Sequence, residues 1–155
     1  ALANEGNLDL MAQAVELPKK YGVPSGVGAH CLDVVKLCEE RGVGADFYIK
    51  TFHHHTYPSG PKPDQITGPY NEFPGYWCAN PEETVALMKS VKKPWIAFKT
   101  MAAGAIPPKN AFRYAFRSGA DFVLAGMFDF ELEEDAAIAR ECVASLENRE
   151  RPWMA

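Results

Sequence analysis

Asp46-Phe47-Tyr48-Ile49-Lys50-Thr51-Phe52-His53-His54-His55 opens as an apolar strand and ends on a lysine and three consecutive histidines, just before a long loop. Alternating side-chain character over a run of this length predicts a strand. A charge inside such a strand carries a desolvation cost that packing alone does not justify, so the end of this strand is where chemistry is expected. Outward from it the chain repeats one pattern. On the N-terminal side, Leu32 to Arg41 reads as a helix with Val35 and Cys38 on one stripe and Gly42 as its breaker. Before that come a strand from Pro24 to His30 and a helix from Asn7 to Tyr21, with Leu8, Met11, Ala12 and Val15 at helical spacing and Gly22 as its stop.

On the C-terminal side, Asn80-Pro81-Glu82-Glu83 has the composition of a helix start, with Asn80 as cap and Pro81 in the first turn. That helix runs to about Val91. A strand from Pro94 to Met101, a helix from Pro108 to Ser118 ended by Gly119, a strand from Asp121 to Phe128 and a helix from Glu131 to Leu146 complete the chain. Alternating strands and helices imply parallel pairing through right-handed crossovers. The result is an α/β domain spanning residues 1–155, either half of a (β/α)8 barrel or an open doubly wound sheet. A whole barrel takes about 250 residues, so four strands in 155 residues correspond to half of one.

Strand parity then predicts which side chains face the barrel axis, taking the bulky apolar side of each strand as the helix side. Phe47 and Ile49 go to the helices and Tyr48 and Lys50 inward; Ile96 and Phe98 go to the helices and Ala97 and Lys99 inward. Gly26, Gly28 and His30 face in from the first strand, and Val123, Ala125, Met127 and Asp129 from the last. His30, Lys50, Lys99 and Asp129 are thereby expected at the C-terminal mouth, where barrel enzymes keep their active sites. Residues 56–76 carry five prolines and several aromatics and read as a lid-like loop.

Composition sets the class of partner. The chain has 155 residues, 47% hydrophobic and 23% charged, an ordinary soluble globular balance. A net charge of −4 without a basic block argues against nucleic acid and anionic membrane, and leaves a small-molecule substrate, a complementary N-terminal half-barrel or a second copy of the chain as expected partners. No run approaches a membrane span, no leader precedes Ala1, and the compartment stays open. Cys31, Cys38, Cys78 and Cys142 lack CxxC spacing and read as buried reduced thiols.

Two chemistries fit the candidate residues. His30 with His53, His54 or His55 offers imidazole nitrogens to a divalent ion such as Zn, Mn or Fe, with Asp129 as an oxygen ligand. Metal-free acid/base work by the same rings is the alternative. Lys50 and Lys99 offer an amine for imine formation, acid/base work or oxyanion stabilisation. Tyr48, Tyr76, Trp77 and Gly104 are the expected substrate contacts.

Ala102-Ala103-Gly104-Ala105-Ile106 followed by Gly119-Ala120-Asp121-Phe122-Val123-Leu124-Ala125-Gly126 resembles the last two βα units of the phosphate-binding barrel families. That resemblance implies a barrel fold. The acidic run Glu131, Glu133, Glu134 and Asp135 opposes a phosphate at the usual helix start, and no nucleotide cofactor is expected. Tyr48-Ile49-Lys50-Thr51 and Lys99-Thr100-Met101-Ala102-Ala103-Gly104 are similar to the two lysine motifs of the deoxyribose-phosphate aldolase type of class I aldolase. This second resemblance implies Lys50 as the imine-forming lysine and Lys99 as its neighbour. The expected activity is that of a lyase or isomerase on a small sugar or keto acid, with a metal-dependent enzyme and a non-catalytic half-barrel scaffold as the other readings.

Overall fold

The computed structural model describes residues 6–66 and 78–154. Five helices, α1 (Leu8–Lys19), α2 (Leu32–Glu40), α3 (Pro81–Ser90), α4 (Pro108–Arg117) and α5 (Leu132–Ala144), alternate with four strands, β1 (Gly26–Ala29), β2 (Phe47–Thr51), β3 (Trp95–Phe98) and β4 (Phe122–Leu124). The strands form one parallel sheet in the order β1-β2-β3-β4, with Ala29 paired to Lys50 and Lys50 to Ala97. Nothing in this order reverses direction. With right-handed crossovers a sequential order puts the connecting helices on one face, whereas a doubly wound sheet needs a switch point.

The core is therefore one-sided. Val27, Tyr48, Trp95 and Ala97 pack with Val15 of α1, Val35 and Cys38 of α2, Met88 of α3 and Ala115 of α4. A second cluster joins Phe112 and Phe116 of α4 to Ile138, Ala139 and Cys142 of α5. All four cysteines are free thiols in buried positions. Phe47, Ile49, Ile96 and Phe98 lie on the other face, half-buried, and Phe122 and Leu124 stand 47% and 42% exposed. None of these six belongs to either cluster.

This reverses the predicted parity of three strands. Gly26, Gly28 and His30 do lie on the face away from the helices, but Tyr48, Lys50, Ala97 and Val123 lie on the helix side. Bulk was the wrong guide. Tyr48 is buried because its hydroxyl donates to Glu39 of α2 at 2.7 Å, and the Lys93 ammonium sits over its ring. Burial works against the Glu39 carboxylate, but its hydrogen bonds from Lys93 and Tyr48 outweigh that and hold its pKa below the usual range. Tyr48 is a core residue, not the substrate contact expected of it.

The Gly119-Ala120-Asp121 motif serves the base of the sheet. Gly119 adopts φ 106°, and a Cβ there would meet Arg151 Cγ at 2.6 Å. Asp121 accepts from the Trp95 amide (2.9 Å), from Arg149 and Arg151 (2.8 Å each) and from the Met154 amide (3.0 Å). Arg151 also donates to the carbonyls of Gly119, Val91 and Lys93. This network fastens the C-terminal segment under β3 and β4, at the opposite end of the strands from the predicted site.

Candidate active site at the C-terminal end of the sheet

Immediately after β3 the chain makes a strained turn. Lys99 has φ 54°, Ala102 φ 47°, Ala103 φ 57° and Gly104 φ 86°. Left-handed backbone costs a non-glycine residue about 1 kcal/mol or more, so the surrounding bonds must impose it. The amides of Ala102, Gly104 and Ile106 bond the carbonyls of Lys99, Met101 and Met101 at 3.0 Å, and Ile106 is buried as an anchor. The Lys99 carbonyl receives a further bond from His53 at 3.1 Å.

The turn forms one wall of a cavity of about 660 Å³ between the ends of β3 and β4 and the start of α5. Its polar lining comprises Lys99, Thr100, Glu131 and Asp135, with Gly104 and Gly126 leaving room and Phe98, Met127 and Phe128 supplying apolar wall. The Thr100 hydroxyl is buried with no hydrogen-bond partner among the described residues, an arrangement that costs stability. Asp135 is 6% exposed. Burial, with Glu131 and Glu134 adding repulsion, raises its carboxyl above the usual aspartate range.

Asp135 was not among the predicted site residues, and the sequence does carry a signal for it. Asp135, Ile138, Ala139 and Cys142 fall at i, i+3, i+4 and i+7, so Asp135 is the acid placed on the apolar stripe of α5. Asp129, which was predicted for this role, is exposed in a short 3-10 turn and accepts the Phe130 amide at 3.0 Å. A short polar side chain in a turn bonds its own backbone in preference to reaching a site.

The histidines diverge. The Cys78 amide donates to His53 Nε2 at 3.3 Å, which leaves the ring proton on Nδ1 for the Lys99 carbonyl. Burial, with the charges of neighbouring groups, pushes the His53 pKa down to about 4, so the ring is neutral near pH 7. His55 Nε2 donates to the Cys78 carbonyl, and His54 Nδ1 accepts from the Thr56 amide and hydroxyl while its ring lies edge-on to Tyr114. His30 bonds the Thr51 hydroxyl and stacks against Phe98. Among the described residues no three His, Cys, Asp or Glu side chains are grouped so as to hold a metal ion. The metal role predicted for His30, His53, His54 and His55 thus lacks a converging ligand set among the described residues: His53 and His55 bond the amide and the carbonyl of Cys78, His54 bonds Thr56 and His30 bonds Thr51.

Lys50 is brought to the same end of the sheet but not to the cavity. Its amine is fully buried, donates to the Thr51 carbonyl at 2.8 Å and has its pKa lowered by burial, with Cys78 and Cys31 near it. Lys99 and Gly104 are therefore the predicted residues that line the cavity. Tyr76 and Trp77 lie outside the described residues, as does the 67–76 part of the predicted lid. No helix among the described residues is long and apolar enough to cross a membrane. Comparison with protein-family models, curated proteins and solved structures finds no match to this chain.

Proposed function

We propose that the chain carries the lysine-bearing part of an enzyme mouth acting on a small, unphosphorylated oxygenated metabolite, a sugar or keto acid, by carbonyl activation of the lyase or isomerase type. One observation carries this reading: Lys99, on a strained turn, lines a cavity together with Glu131, Asp135 and Thr100, whose buried hydroxyl has no hydrogen-bond partner among the described residues. Strain and unsatisfied polar groups concentrate where a ligand completes the site. Glu131 and Asp135 line the same cavity and oppose a phosphate there. In the proposed step the Lys99 amine adds to the carbonyl carbon, and the oxygen leaves as water with both amine protons, relayed by the Asp135 carboxyl. Thr100 orients the substrate oxygen.

Borohydride reduction in the presence of glycolaldehyde or pyruvate, followed by peptide mapping, tests this. The expected product is one reduced adduct per chain on Lys99, retained in Lys50→Met and absent in Lys99→Met. No adduct, or label scattered over surface lysines, overturns the reading. A non-catalytic, partner-binding role is the second reading, favoured by the stacked and exposed pair Phe128 and Phe130, with ring centroids 5.3 Å apart.

A further inference from the structure

Among the described residues one apolar face of the sheet joins neither core cluster, whereas parallel sheets are found buried on both faces. Here both edges, β1 and β4, are also unpaired within the described sheet. The exposed large apolar side chains concentrate at those edges. Leu10 and Leu17 of α1 with Tyr21 and Val23 flank β1, at 52% to 79% exposure. Phe122 and Leu124 of β4 with Phe128 and Phe130 beyond it form the other group. Among the described residues no such side chain comes from the elements from α2 to α4; the remaining one, Trp153, lies in the C-terminal segment.

We infer that two copies of this chain close into one eight-stranded barrel about a two-fold axis parallel to the strands, β4 of each pairing beside β1 of the other. Such an axis keeps all strands parallel and makes the two seams identical. Eight is the count at which a parallel barrel fills its interior with its own side chains. The two edges are complementary in size. Gly28 on the uncovered side of β1 is exposed, with Ile49 Cβ 3.9 Å from where its own Cβ would lie, and the large Phe122 and Leu124 project from β4 on that same side. Closure lays the large side chains over the glycine. It also sets α1 of one copy against α5 of the other, covering Leu10, Leu17, Leu132 and Val143.

The available area suffices. At typical side-chain areas, the exposed apolar residues at the two edges offer on the order of 1,000 Å² per copy, against about 800 Å² per partner in a standard stable interface. The seam also completes the cavity, because the His30 end of the second copy's β1 comes beside its Gly126 side.

Sedimentation equilibrium over roughly 1 to 100 µM tests this without reference to catalysis. The expected mass is twice 17.1 kDa. Phe122→Lys and Leu124→Lys are each expected to weaken the dimer about a hundredfold. Gly28→Leu fills the seam from the other side and is expected to do the same while the monomer keeps its far-UV circular dichroism. A chain that remains monomeric throughout the range overturns the proposal. So does a dimer that all three substitutions leave intact.

Discussion

At the level of single residues, His53 connects the histidine run to the lysine turn. Its neutral ring holds the Cys78 amide and the Lys99 carbonyl together, so it positions Lys99 without reaching the cavity itself. The ring's pKa is lowered from 6.5 to about 4 on folding, so its contribution to stability is full above pH 6.5 and is lost as pH falls toward 4. A shift of that size corresponds to about 3 kcal/mol across the window. Urea denaturation at several pH values is expected to show this slope in the wild type and a flattened one in His53→Phe, which also loses about 2 kcal/mol at pH 7 through its two missing bonds. Lys50 makes the opposite case. Its buried amine gains one backbone bond for its desolvation, so Lys50→Met is expected to be neutral or stabilising by up to about 2 kcal/mol in thermal melts. Loss of cooperative unfolding in that variant would instead give Lys50 a structural role.

At the level of elements, helices were the legible part of the sequence. Leu8, Met11, Ala12 and Val15, and Val35 with Cys38, announced α1 and α2 by their spacing, and these residues do pack inward. Strand existence was equally legible, but strand orientation was not. Both faces of β2 and β3 carry large side chains, so bulk alone does not orient them; the bond from Tyr48 to Glu39 of α2 does. Asn80 shows a similar limit at a helix end: its side chain donates to Glu83 at 3.0 Å rather than capping α3, although its carbonyl does begin the helix. The turn before β4 yields a direct test. Asp121→Asn removes the charge that two arginines share and is expected to cost about 3–5 kcal/mol in urea denaturation. Gly119→Ala, which forces a Cβ against Arg151, is expected to destabilise in the same direction. A change below about 0.5 kcal/mol in both would mean the network is not what fastens the C-terminal segment.

At the level of the whole molecule, the sheet gathers its unusual features at one end and its structural ties at the other. The C-terminal ends of the strands hold the strained Lys99 turn, the buried Lys50 and His53 and the cavity, while the Asp121 network secures the base. The lysine motifs brought Lys50 and Lys99 to notice together, yet only Lys99 lines the cavity, because strand parity places Lys50 among the helix-side side chains. Asp135 was hidden in an acidic run whose charges look alike until the apolar stripe of α5 singles one out. The most direct test of the account is a crystal structure of the protein after borohydride reduction with glycolaldehyde. The predicted result is density continuous with Lys99 Nζ inside the cavity, with the ligand hydroxyl against Thr100. An adduct on Lys50, or a cavity left empty while another lysine carries the label, would contradict it.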